Sequence, residues 1–194
     1  MDKKDVIEFF NDCAPNWDSN MIRNEAVISK ILDNAKINEG KDILDVACGT
    51  GVLFPDYLKR NVKSLTGIDI SPKMIDIAKS KFDDEIVSII CGDVEEFSFD
   101  KKYDAVVVYN AFPHFPNPER IIAKLSTLVK QGGTVTVAHG MSRAMLKKHH
   151  SGAAKHVSIG LMHEDELADI FSKYLKVTVK ISNDEMYQIV GIKE

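Results

Sequence analysis

Several things this sequence lacks narrow its chemistry before any motif is read. Its three cysteines, Cys13, Cys48 and Cys91, are odd in number and show no C-x-x-C spacing. That argues against a disulfide framework and against a zinc knuckle. No apolar run approaches the roughly 20 residues that a membrane-spanning helix needs. The opening Met-Asp-Lys-Lys-Asp has no apolar core of the signal-peptide kind, so the expected location is cytoplasmic. Excess positive charge is missing too. The formal net charge is −4, which removes the overall electrostatic reason to expect nucleic acid or a membrane surface as a partner. No internal repeat or low-complexity tract divides the 194 residues, a length that suits one domain around one core.

What is present is a rhythm of short apolar runs and helical patterns. Ile43-Leu44-Asp45-Val46 reads as a buried parallel strand. It breaks into Ala47-Cys48-Gly49-Thr50-Gly51, and Val52-Leu53-Phe54 opens a helical pattern. Further strands are expected over residues 64–68 ending at Asp69, 86–90 closed by Cys91-Gly92-Asp93, and 105–109 closed by Asn110-Ala111-Phe112-Pro113-His114. A fifth covers 134–138 and ends at His139. Ser71-Pro72 and Asn117-Pro118 mark helix starts, each a capping side chain followed by proline at the first helical position. Gly132-Gly133 is expected to end the second of these helices. Residues 5–10 and 22–35 have helical periodicity, with a breaker-rich link holding Pro15, Trp17 and Asp18 between them. Residues 141–150 and 164–174 are further helices. Residues 177–181 and 186–192 form a hairpin around Ser182-Asn183-Asp184, antiparallel because a parallel return needs a dozen residues or more. Strands alternating with helices imply an α/β fold with helices on both faces of a parallel sheet.

The strand, glycine turn and helix start around Gly49 form a cradle for a nucleotide-like ligand. Gly49 and Gly51 let backbone approach where a side chain would collide, and N–H groups at the helix start face the same spot. A dinucleotide site wants G-x-G-x-x-G. Here Phe54 stands at the third position, and Asp45 would set a negative charge near a pyrophosphate. A ligand with an ammonium and a sulfonium would welcome Asp45. The stretch from Ile43 to Gly51 therefore resembles motif I of the class I S-adenosylmethionine (SAM) methyltransferases, and Gly67-Ile68-Asp69-Ile70-Ser71 resembles that family's second motif. The resemblance implies a Rossmann-like, doubly wound, seven-stranded and mostly parallel sheet with a C-terminal antiparallel hairpin. It implies one domain over residues 1–194, with a helical cap over 1–38 and a substrate lid over 140–163. It also implies SAM as cofactor, S-adenosylhomocysteine as product, and methyl transfer to a small molecule by in-line displacement.

In an open parallel sheet, ligands bind at the carboxyl ends of the strands. Those ends are Asp45, Asp69, Asp93, Asn110 and His139. Asp69 lies one βαβ step after Asp45, where a carboxylate can accept two ribose hydroxyls; its alternative role is a charge at the N-terminus of the helix after Ser71. By resemblance, Asp93 takes the adenine amine, the Val94 N–H takes a ring nitrogen, and Asp45 serves the methionine ammonium. Ala47, Gly49, Gly51, Ile70, Met74, Gly92 and Asn110 complete the expected cofactor contacts. Trp17 is either plain packing or, with Asp18, an aromatic-Asp pair folding over the cofactor. Cys48 and Cys91 read as space-fillers.

The acceptor side is marked by histidines, all six of which lie between His114 and His163. His114 and His139 each follow a strand and are the candidate general bases, a task that suits imidazole near neutral pH. From Gly140 to His156 there are four Lys/Arg and no carboxylate. If residues 141–150 are helical, Arg143, Lys147 and His150 share a face. That face is either a solvated basic helix or a lid that receives an anionic or thiol-bearing acceptor. No metal site is expected: His149 and His150 point different ways on a helix, with no carboxylate or thiolate beside them. Asn110-Ala111-Phe112-Pro113-His114 departs from the Asn/Asp-Pro-Pro-aromatic signature of DNA amino-methyltransferases. Two rival readings are an NAD-linked oxidoreductase, disfavoured by Phe54 and by the lack of a second domain, and a non-catalytic SAM-binding sensor.

Overall fold

A computed structural model describes residues 1–149 and 153–194, with the side chains of 147–149 and 153–154 left aside. Seven strands make one sheet: β1 (Asp42–Val46), β2 (Ser64–Asp69), β3 (Val87–Cys91), β4 (Tyr103–Tyr109), β5 (Val129–His139), β6 (Lys176–Ser182) and β7 (Tyr187–Ile192). Their spatial order is β3-β2-β1-β4-β5-β7-β6. β1 to β5 pair in parallel, and β7 runs antiparallel to both β5 and β6. The expected fold is the observed one. The order reverses between β1 and β4, which puts the ligand crevice above their carboxyl ends.

The central strands are apolar on both faces because helices cover both. The side chains of β4 alternate. Val106 and Val108 pack with Leu44 and Val46 against α5 (Pro118–Leu128) and α7 (Glu164–Ser172), through Ile121, Leu125, Leu167 and Phe171. Ala105 and Val107 pack with Ile43 and Leu65 against α2 (Glu25–Asn34), α3 (Phe54–Lys59) and α4 (Pro72–Lys81), through Ile28, Leu32, Phe54, Tyr57 and Ile75. α1 (Lys3–Cys13) and α6 (Arg143–His149) lie outside these layers. On the edge strand β6 the exposed positions include Lys176 and Lys180, charges that blunt an open sheet edge. Among the described residues no helix is long and apolar enough to cross a membrane.

Both proline-marked helix starts are as expected: Ser71 accepts from the Met74 N–H and Asn117 from the Arg120 N–H. Several boundaries differ from expectation, three of them for a local reason. α2 begins at Glu25, because Asn24 accepts from the Val27 N–H and caps it there, leaving Ile22 96% exposed. α3 begins at Phe54, not Val52, since the glycine turn extends through Leu53. α5 ends at Leu128, ahead of Gly132-Gly133, because Val129 is drawn into the sheet beside Tyr103. The glycines instead lie inside β5 where its register shifts, with Gly132 at φ +76° donating to the Lys193 carbonyl.

Phe54 occupies the position where a dinucleotide fold needs a small residue, and its ring is fully buried against β2. A Cβ on Gly67 would overlap Phe54 Cζ and lie 2.9 Å from Cys48 Sγ. Close helix–strand contact is kept by moving the missing side chain from helix to strand. Gly67→Ala is therefore expected to overpack this junction and cost about 1–3 kcal/mol, read as a lower urea midpoint at unchanged m-value. Phe54→Leu in the same chain should recover part of the loss; a neutral Gly67→Ala would refute the packing account.

Candidate functional site

The turn after β1 holds an unusual backbone. Ala47, Gly49 and Gly51 all have positive φ, at 55°, 56° and 80°. For Ala47, whose Cβ crowds the following carbonyl, this costs about 1–2 kcal/mol; such strain is held where the surroundings fix it. One of the groups that fix it is Asp69. Its Oδ2 accepts from the Gly49 N–H at 2.9 Å and its Oδ1 from the Ser71 N–H at 2.8 Å. Burial pushes the Asp69 carboxyl up, and the backbone N–H groups of Ser71, Gly49 and Ile70 partly offset that. The carboxylate still has room to accept a further hydrogen bond.

Asp45 sits behind the turn, 3% exposed. Burial pushes its carboxyl well above the ordinary range, and the nearby charge of Asp69 adds to the shift. A cation placed beside it would restore the ionised form. Past β3, Asp93 Oδ1 accepts from the Glu95 N–H at 2.9 Å, while its Oδ2 pairs with the Lys3 ammonium. Past β4, Asn110 is also left-handed, at φ 54°. Its Oδ1 accepts from the Gly140 N–H at 3.0 Å and so ties the ends of β4 and β5 together.

α1 and the link after it close over these turns. Asn11 Oδ1 accepts from Ser71 Oγ at 2.8 Å and from the Lys73 N–H at 3.2 Å. Asp18 accepts from Thr50 Oγ1 at 2.5 Å and from Lys81 Nζ at 2.7 Å. Arg23 donates to the Val52 carbonyl and to Asp56. The enclosed cavity holds about 1190 Å³ of empty space, part of it open to solvent. Its lining includes Asp45, Ala47, Gly49, Asp69, Ile70, Met74, Gly92, Asp93, Val94 and Asn110, together with Trp17 and His114.

Residues 44–137 match the methyltransferase domain family, a span that runs from β1 to β5 and carries these strand-end residues. The chain belongs to the class I SAM-dependent methyltransferases. It is 31% identical over 130 residues to the malonyl-[acyl-carrier protein] O-methyltransferase of Priestia megaterium, covering 65% of this chain and 47% of that protein. It is 29% identical over 142 residues to the ubiquinone biosynthesis O-methyltransferase of Coxiella burnetii, covering 69% and 60% respectively. The chain thus spans about half the length of the curated relatives it matches. The fold matches magnesium protoporphyrin IX methyltransferase from Synechocystis with bound S-adenosylhomocysteine over 100% of both chains, at TM-score 0.75 and 16% identity.

The cavity fits the family's cofactor, SAM. Gly49 leaves its approach open: a Cβ there would have Trp17 Nε1, at 3.9 Å, as its nearest neighbour. Asp69 retains acceptor capacity, and Asp45 is a buried carboxylate suited to a cation. Trp17 lies beside the turn and meets Phe10 edge-to-face at 5.7 Å. Cys48 is buried, and burial pushes its thiol well above the ordinary value, which disfavours the reactive thiolate.

Not every expected residue reaches the cavity. Gly51 stands behind it, where a Cβ would press on the Phe82 and Phe54 rings. His139 ends β5 fully buried, with its ring 6.3 Å from that of Tyr187, and does not line the cavity. Arg143 pairs with Glu164 at 3.4 Å and faces a separate groove with Lys155 and His163. The Lys147 side chain and His150 lie outside the described residues. His114 does line the cavity. It closes a 3₁₀ turn, Phe112–His114, with Nδ1 2.7 Å from the Val157 carbonyl oxygen and the Phe10 ring at 4.9 Å. Lining residues that the sequence did not single out for the site include Lys3, Phe10, Tyr109 and Phe115. Phe10 showed only as an apolar helix position, and nothing marked Lys3.

Asp45 gives a pH test. Its folded, ligand-free pKa is raised, so its stabilising contribution is complete below the unfolded value and is lost as pH rises through the folded one. SAM binding should then release a proton and tighten with pH across that window. Asp45→Asn should abolish the proton release, weaken SAM binding, and raise the ligand-free melting temperature at neutral pH. Calorimetry in two buffers of different ionisation heat reads the release. The same release from the Asn variant would assign the proton to another group.

Proposed function

We propose that the chain transfers the methyl group of SAM to a small-molecule acceptor held between the cap and the turn after β4, with His114 as general base. The observation that carries the base assignment is placement. Of the two histidines that follow strands, His114 lines the cavity and His139 is packed inside the sheet.

Bound SAM supplies a methyl group on a sulfonium, an already activated leaving group. Asp45 would hold the ammonium, Asp69 the ribose hydroxyls, and Asp93 with the Val94 N–H the adenine. The cap of α1, Trp17 and Asp18 excludes water and keeps the acceptor aligned, which is most of what such a displacement asks of a protein. The Val157 carbonyl can only accept, so His114 Nδ1 carries the proton of that bond. In the neutral ring the lone pair then lies on Nε2. His114 Nε2 would take the acceptor's proton as the methyl group is transferred. The relatives in Priestia megaterium and Coxiella burnetii are both named as O-methyltransferases, which favours oxygen as the atom methylated.

A turnover screen with labelled SAM against phenols, acids, amines and thiols, read by product mass, identifies the acceptor class. With that acceptor, His114→Gln should lower kcat by about 10²–10⁴-fold while leaving SAM affinity nearly intact. His139→Gln should alter stability and leave the pH–rate profile in place. A His114→Gln enzyme at full rate across the pH range would remove the base and leave alignment as the whole mechanism.

A further inference from the structure

The acceptor end of the cavity is walled by rings. Trp17 meets Phe10 at 5.7 Å and 70°, and Phe10 meets His114 at 4.9 Å and 88°. Tyr109 and Phe115 line the same cavity from β4 and the turn after it. None of these side chains carries a fixed charge. We propose that the acceptor is an uncharged, planar aromatic molecule bearing the hydroxyl to be methylated; this rests on the reading of the cavity as a methyl-transfer site.

The distribution of charge argues against an anionic acceptor. Among the described residues that line the cavity, the only Lys or Arg is Lys3, and its ammonium pairs with Asp93 and lies 3.7 Å from Glu95 and 3.6 Å from Glu96. Arg23 is engaged by Glu25, Asp56 and the Val52 carbonyl, and Arg143 by Glu164 in a different groove. The lining also holds the carboxylates of Asp2, Asp45, Asp69, Asp93 and Glu95. A carboxylate or phosphate entering this wall would lose its water with no lysine or arginine of the lining left unpaired to receive it, and would have only the cofactor's sulfonium opposite it. A cationic acceptor would sit against the sulfonium of the bound cofactor. A neutral ring meets neither cost, and edge-to-face contact with Phe10 and Trp17 adds to its burial.

The test uses the full chain saturated with S-adenosylhomocysteine, titrated by calorimetry with three probes of similar size: 4-cresol (neutral), benzoate (anionic) and benzylamine (cationic at neutral pH). 4-Cresol should bind at least about tenfold more tightly than either charged probe. Phe10→Leu, which keeps apolar volume without the ring, should weaken 4-cresol by about threefold to tenfold, and by more than it weakens S-adenosylhomocysteine. Equal affinities, preference for a charged probe, no binding of any probe, or an indifferent Phe10→Leu variant would each overturn the proposal. Failure of S-adenosylhomocysteine itself to bind would instead overturn the cofactor reading beneath it.

Discussion

Two hydrogen bonds to one buried carboxylate hold the site together. Asp69, the last residue of β2, accepts from the backbone of Gly49 on one side and Ser71 on the other. The first bond fixes the left-handed turn after β1, and the second fixes the residue that caps α4. Without it the turn would have fewer constraints holding Ala47 in a conformation that Ala disfavours. The charge itself is expensive to bury, and the N–H groups around it offset that expense only in part. A remaining part of the offset falls to whatever else donates to the same oxygens, which is how a bound ribose would contribute more than its own contacts.

The cap repeats this logic from above. Lys3, Asn11 and Asp18 come from one short N-terminal stretch, yet each touches a different strand-end turn: Asp93 after β3, Ser71 after β2 and Thr50 after β1. Each contact spans a long stretch of sequence and ends on a turn that the sheet positions. Its polar groups face the turns and its rings, Phe10 and Trp17, line the cavity. The cofactor side and the acceptor side therefore share one cover.

The central strands were legible because a strand buried on both faces is a continuous apolar run, and each such run ended in a polar residue that the fold uses. The helix starts at Ser71 and Asn117 were equally plain, since a capping side chain before proline has one common meaning. Gly132-Gly133 misled because the same residues serve a helix end and an irregular strand, and only the pairing of Val129 with Tyr103 decides between them. His114 and His139 looked alike because both follow strands. The difference is three-dimensional: His139 is still within β5, opposite Tyr187, while His114 lies in the turn beyond β4. Arg143 looked available because its own neighbourhood lacks acids; Glu164, which pairs with it, is distant in sequence. No pattern marked Lys3, whose role depends on where α1 lands.

The strand order has a consequence for synthesis. β7 lies between β5 and β6, although it is made after both. β6 is thus made before its sole sheet partner, and until β7 is in place β5 presents an open edge that includes Val135 and Val137. Such an edge is a template for pairing with another chain. A partly folded chain carries it until Tyr187–Ile192 inserts, which pairs β5 and β6 through one strand.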